Sequence, residues 1–502
     1  MIKTLICSLP PLDSERPPLA GAIIANICRQ QGHEVVTVDF QYELTKFLTR
    51  KNLDKNYFSD VFYESQPSFN QAQLEVLEEF IDTILVDLKV EQFDYISSSL
   101  FSYLAQQFGN VFFKKLRPLT SAKIIIGGAG LVNFKNSIGQ LGDINALTFA
   151  ENLKHLKLID EYITGEAELA LPLYFTVGHG PGIGNNNFKQ IDELDVVPWP
   201  DYSYYNLNNY QRNDCQTELT IIGSRGCVRH CTFCDVAKTS PKYRYRSGDN
   251  IAAEIIHHYE THGVTNFYFA DSLVNGSFKA FNDMCNGLAK YQFDKPISWS
   301  GQYIIRSRAT TPKDHFKLLK ESGCSTLFVG IESGSDRVRF ELGKKFTNDD
   351  IEYYLENFSA YGIKTLFLMF TGYVTETEQD HADALAMFNR WQKYVATGTI
   401  LGIETLNLLS ILPGAPLEEI AKKGNFMFLQ DDNGSTNLRS WVNPALPKFD
   451  FKERVRRHIT MIEEAMRYKW PLWNGQLSMN LYEDALKKFI KTPKRYISVA
   501  VI

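Results

Sequence analysis

Apolar and polar residues alternate in two separate blocks of the chain. In the first block the short apolar runs 2–7 (IKTLIC), 34–40 (EVVTVDF), 93–100 (FDYISSSL) and 122–131 (AKIIIGGAGL) have the length and composition of buried strands. Between the first two, AGAIIANICRQQGH carries apolar residues at helical spacing and Gly32 as a stop signal. Segments 71–90 and 103–117 predict the next helices. Strand, helix, strand in repetition implies a parallel sheet covered on both faces, which binds ligands at the carboxyl ends of its strands. Those ends are residues 10–18, 97–100 and 127–130.

The pattern then lapses. Residues 178–207, GHGPGIGNNNFKQIDELDVVPWPDYSYYNL, are rich in Gly, Asn and Pro and mark a boundary. It restarts with six strand candidates at 218–223, 266–271, 297–302, 326–333, 364–372 and 403–412. Helical stretches at 248–262, 277–291, 312–322, 347–361 and 376–396 separate them. Six βα units predict an open barrel with its chemistry at the strand C-termini. The expected organisation is a doubly wound Rossmann-like α/β domain (1–177), a linker (178–212), an open (β/α)6 barrel (213–425) and a mostly helical C-terminal region (426–502). In that last region FKERVRRHITMIEEAMRYKW and LYEDALKKFI read as amphipathic helices capping the barrel, with the Lys/Arg cluster at 452–457 as a solvated helix face.

At 502 residues the chain is too long for one core, since domains average roughly 150 residues. Its net charge of −5 gives no sign of a nucleic-acid binder. The 34 Phe and 25 Tyr point to packed aromatic interiors. The N-terminal apolar run meets Pro10 and Pro11 at once, so no signal peptide is expected, and no run is long enough for a membrane span. Cytoplasm is the expected compartment. Without a secretion signal the eight cysteines read as thiols or metal ligands.

Three of them, Cys227, Cys231 and Cys234, stand in GSRGCVRHCTFCDV directly after the first barrel strand. A closed structural metal site takes four protein ligands, and an open position marks a reacting metal. A four-iron cubane on three thiolates leaves one iron free to chelate a small molecule. A zinc site completed by His230 or a distant ligand is the alternative, but the chain has no second C-x2-C pair to close one. Cys215, Cys285 and Cys324 read as core thiols.

The C-x3-C-x2-C loop resembles that of the radical S-adenosylmethionine (AdoMet) enzymes. The resemblance implies a 4Fe–4S cluster on Cys227, Cys231 and Cys234, AdoMet on the free iron, and reductive cleavage to a 5′-deoxyadenosyl radical. It places Phe233 beside adenine. TLFVGIESGSDRV resembles the family's fourth-strand motif, which assigns Glu332 to the AdoMet amino or ribose groups and Ser333 to its carboxylate. The alternative role for Glu332 is a strand-end ion pair. Arg306, in WSGQYIIRS, is either a partner of the AdoMet carboxylate or a surface arginine. SILPGAPL resembles the sixth-strand pattern and brings Ile411 to adenine, whereas FTGYVTETEQD departs from the fifth-strand pattern. The first domain is similar to the cobalamin-binding domains fused to many such enzymes, through residues 17–40, 94–100, 123–131, 163–171 and 196–207. It lacks the D-x-H-x-x-G motif that supplies a histidine to cobalt. The resemblance implies that Ser97, Ser98, Ser99, Gly127, Gly128 and Gly130 lie against cobalamin; the bland alternative is that these glycines permit tight turns. The spacing at 127–130 is not a dinucleotide fingerprint. The function implied is cobalamin-dependent methylation of an unactivated carbon, with flavodoxin or ferredoxin as electron donor. A radical cyclisation, rearrangement or oxidation without cobalamin stands next, then a tRNA methylthiotransferase, then a non-catalytic iron–sulfur or zinc protein. The substrate is not legible.

Overall fold

The computed structural model describes residues 1–62, 68–131, 148–184, 190–212, 216–236, 240–430, 436–473 and 495–498. It divides into two compact units, Met1–Thr220 and Ile221–Ile502.

The first unit is built on strands β1 (Lys3–Leu9), β2 (Glu34–Asp39), β3 (Tyr95–Leu100), β4 (Lys123–Gly127) and β5 (Glu161–Ile163), in the order β2-β1-β3-β4-β5. All pair in parallel. The order reverses between β1 and β3, and at such a switch point the strand ends open a crevice. The two faces read directly from alternation. Leu5, Cys7, Ile96, Ile124 and Ile126 join helices Gln71–Leu88 and Ala105–Leu116 in one core, where Phe40, Phe80, Phe108 and Phe112 interlock edge to face. Each such ring contributes about 1.5–3 kcal/mol by leaving water, so the aromatic content is mostly spent inside. Ile6 and Ile125 face the other way, onto helices Leu19–Gln30 and Ala167–Val177. The stretch 178–212, expected as a linker, falls within this unit. Its Trp199 carbonyl accepts from Asn26 (2.7 Å) and its Tyr210 hydroxyl donates to Asp39 (3.0 Å).

The second unit opens with β6 (Glu218–Ile221), which begins in the first, and a pair of two-residue antiparallel strands, β7 (Ser224–Arg225) and β8 (Arg244–Tyr245). Then come β9 (Asn266–Phe269), β10 (Ser298–Tyr303), β11 (Cys324–Glu332), β12 (Lys364–Thr371) and β13 (Ile400–Leu408). A short strand, β16 (Leu472–Trp473), completes a seven-stranded sheet ordered β16-β13-β12-β11-β10-β9-β6, so β16 and β6 are edges and the barrel is open. Along β11, Leu327, Val329 and Ile331 are fully buried beneath the helices, while Thr326, Phe328 and Gly330 turn to the half-buried inner face. Helices at 248–262, 278–290, 314–321, 348–361 and 378–390 follow the expected positions within a few residues.

The C-terminal part departs from a mostly helical reading. Helix Phe451–Arg467 forms, but β14 (Met427–Gln430), β15 (Thr436–Val442) and β17 (Arg495–Ser498) make a three-stranded antiparallel sheet. Phe428 and Trp441 face each other across β14 and β15 and are buried, while β17 joins β14 from much further along the chain. The basic cluster at 452–457 is a solvated face only at Lys452 and Arg456, which are exposed. Arg454 is fully buried with its guanidinium 3.7 Å from the Trp441 ring, and Arg457 bonds Glu376, Glu378 and Glu453. Arginine's planar, weakly hydrated head tolerates such interiors. LYEDALKKFI and Cys215 lie outside the described residues.

Candidate active site

The three-cysteine loop is clamped at its base. β7 and β8 pair across it, and the Arg246 amide donates to the Gly223 carbonyl (2.8 Å). Asp271, just past β9, accepts from the Gly223 amide (2.9 Å) and the Ser224 hydroxyl (2.5 Å), fixing the turn from strand to loop. Burial pushes its carboxyl up to about 6 despite these bonds. Gly226 has φ +81°, and a Cβ there would meet the Lys242 carbonyl at 2.9 Å, so only glycine lets the chain leave the clamp. The crown is held as well. The Thr232 amide donates to Leu342 (3.2 Å) and its carbonyl accepts from the Leu417 amide (2.7 Å).

Cys231 is buried, and Cys227 and Cys234 are half-buried. Burial raises the pKa of all three thiols, which the Lys344 charge opposes in each case. Thiols in so dry a loop lose their protons when a metal takes them. Among the described residues, no three His, Cys, Asp or Glu side chains converge on a point for a single ion. A cubane takes each thiolate on a different iron, as three cysteines in C-x3-C-x2-C spacing on one loop allow. The residues therefore fit a cluster.

Behind the cysteines lies a buried ion pair that the sequence did not disclose. Lys344 Nζ stands 2.9 Å from Glu332 Oε1, with both side chains 11% exposed. Burial pushes the Lys344 ammonium down, but Glu332 and the cysteines outweigh it and the pKa is raised. The same Nζ lies 5.8 Å from the Phe233 ring centroid. Glu332 ends β11 at φ +62°, where the register with β12 slips by one residue. That bulge swings its carboxylate back over Gly330, where an added Cβ would sit 2.5 Å from Oε1.

The other expected AdoMet residues divide. Phe233 packs on Phe370 (5.1 Å, edge to face) and on the cluster that contains the buried Ile411. Glu332, Lys344 and Phe233 thus stand together beside the cysteines. Arg306 is anchored to the carbonyls of Asn275 (2.8 Å) and Gly276 (3.3 Å), and its buried Nε has no partner among the described residues. It is near enough to Arg229, inside the cysteine loop, to depress that guanidinium after burial has done so. Ser333 is engaged elsewhere, its hydroxyl accepting from the Ser335 amide at 3.2 Å at the start of the next helix. A carboxylate, an under-bonded guanidinium and an aromatic face fit an amino acid joined to adenine.

In the first unit, Ser97 and Ser98 are buried and Ser99 is half-buried at the end of β3. Ser97 shares a face with Ile6 and Ile125, and its hydroxyl has no partner among the described residues. Ser98 turns to the other face, beside Cys7. Gly127 is open, its added Cβ finding nothing nearer than 3.8 Å. Gly128 (φ +107°) and Gly130 have a local explanation, since a Cβ would fall 2.2 Å from the Leu100 carbonyl and 2.4 Å from that of Ser102. Gly127, opposite the half-buried Ser99, is an open position at the strand ends that fits a ligand's edge, while the two later glycines serve the turn.

The model for the Radical SAM superfamily matches residues 221–388. Cytidylyl-2-hydroxyethylphosphonate methyltransferase of Streptomyces wedmorensis is 25% identical over 370 residues, 66% of this chain and 64% of that protein. The chain spans between half and two thirds of the length of the first curated relatives it matches. Among solved structures, the radical AdoMet methyltransferase TsrM of Kitasatospora setae aligns with 98% of this chain and 100% of its own at a TM-score of 0.62 and 13% identity. The cobalamin-dependent AdoMet radical enzyme OxsB aligns with 97% of this chain and 71% of its own at a TM-score of 0.62 and 15% identity. Residues 221–388 are a radical SAM domain, carried in a chain that has over nearly its whole length the fold of cobalamin-dependent radical SAM enzymes.

Proposed function

We propose that this chain is an enzyme that cleaves AdoMet reductively at a 4Fe–4S cluster and uses cobalamin in its first unit to methylate an unactivated carbon. The observation that carries the reading is the clamped three-cysteine loop with the Glu332–Lys344 pair set against it. When bound, the cluster supplies one electron to break a carbon–sulfur bond of AdoMet, and cobalamin carries the methyl group. The protein's own part is placement in a dry setting. Cys227, Cys231 and Cys234 would hold the cluster through their thiolates. Lys344 offsets the negative charge of the thiolates and fixes Glu332, which takes the AdoMet amino group. Arg306 takes its carboxylate, and Phe233 with Ile411 flanks adenine. Ser97 and Gly127 lie against cobalamin.

Two solved relatives in fold support the cobalamin step, TsrM with cobalamin and a 4Fe–4S cluster and OxsB with aqua-cobalamin and AdoMet. A radical reaction without cobalamin is the second reading, favoured by the local explanation of Gly128 and Gly130. Flavodoxin or ferredoxin is the proposed electron donor. No helix among the described residues is long and apolar enough to cross a membrane.

The test is anaerobic reconstitution with iron, sulfide and hydroxocobalamin, followed by AdoMet and dithionite. We expect 5′-deoxyadenosine and about one cobalt per chain after desalting. No AdoMet cleavage overturns the enzyme, and cleavage without retained cobalt selects the second reading.

A further inference from the structure

The inner face of the barrel carries a carboxylate that the chemistry above leaves idle. Glu404 of β13 lies opposite Leu368 of β12, which lies opposite Gly330 of β11. The neighbouring Phe367 packs outward on Trp391 (5.8 Å) and Trp470 (6.2 Å), so Leu368 and Glu404 point inward. Glu404 is half-buried and makes no hydrogen bond or ion pair among the described residues. Burial alone raises its pKa. The buried ammonium of the barrel, Lys344, is committed to Glu332. On its other side Glu404 lies opposite Trp473 of β16 in parallel register, so the two side chains share a face. Trp473 is 47% exposed, and its indole has no ring contact or hydrogen bond among the described residues.

A bare indole face attracts cations, and a partly dried carboxylate needs one. A neutral apolar ligand would bury that carboxylate unpaired, and an anion would be repelled. We infer that Glu404 and Trp473 form a subsite at the open edge of the barrel for a protonated amine of the substrate. The inference rests on the reading of the barrel as the reaction chamber and adds the class of substrate it admits.

The full chain, reconstituted with its cluster and AdoMet, is to be titrated with three probes of one shape: phenethylammonium, phenethyl alcohol and phenylacetate. Ligand-observed NMR gives each Kd. We expect the ammonium to bind roughly tenfold or more tighter than the alcohol, the strength of a charge-assisted hydrogen bond. Glu404→Gln should erase that preference, and Trp473→Ala should weaken ammonium binding by about two- to fivefold. Equal or absent binding of the three probes by the natural sequence, or a preference that survives Glu404→Gln, overturns the subsite. AdoMet cleavage by the natural sequence is measured alongside, and its loss with the ammonium preference intact would sink the proposed reaction and leave the subsite standing.

Discussion

Cys231→Ala is expected to abolish the iron–sulfur absorbance and AdoMet cleavage together. Cys231 is the most buried of the three thiols at 8% exposure, and its carbonyl accepts from the Cys234 amide at 3.1 Å, so its position fixes its neighbour's. Removing it leaves two thiolates in the loop for four irons, too few to hold a cubane. Cys285→Ala is the matched control. That thiol is fully buried in helix Phe278–Lys290, away from the loop, and its loss should leave the cluster in place. A Cys231→Ala protein that keeps both cluster and cleavage would mean that the ligands lie elsewhere.

Lys344→Met should be the next most damaging change. The substitution nearly conserves volume but strands the Glu332 carboxylate in a buried site, at a cost of about 3–5 kcal/mol. It also removes the one charge among the described residues that favours ionisation of all three thiols. The raised pKa keeps Lys344 charged throughout the neutral range, so the loss should not depend on pH there. We expect a lower denaturation midpoint and at least a hundredfold loss of AdoMet cleavage. The Glu332→Gln/Lys344→Met double variant separates the two effects. It removes both charges, so stability should largely return while cleavage does not. Recovery of both would reduce the pair to a structural ion pair.

The three-residue β5 and the two-residue β16 are too short to show a pattern, whereas strands β1 to β4, β6 and β9 to β13 were legible because most of them are short, largely apolar runs between turn residues. That pattern is what a parallel sheet buried on both faces imposes. The cysteine loop was legible because its ligands are adjacent in sequence. Lys344 was not, since a lysine in GKKF looks like any surface lysine until the fold lays it against Glu332. Glu332 itself was visible as a residue, but its left-handed backbone and its partner were not. Glu404 and Trp473 stand 69 residues apart in the numbering and meet only because β16 returns to the edge of β13. In the antiparallel sheet of the C-terminal part the same holds for β17, which pairs with β14 from far along the chain.

The bulge at Glu332 has an implication for anyone redesigning this protein. A non-glycine residue held at φ +62° costs roughly 1–2 kcal/mol, which glycine would relieve. Glycine at 332 with an aliphatic residue at 344 would remove both that tension and the desolvated charges. An algorithm rewarding thermal robustness alone should therefore drift toward that combination, and the hardier molecule it delivers should be inert.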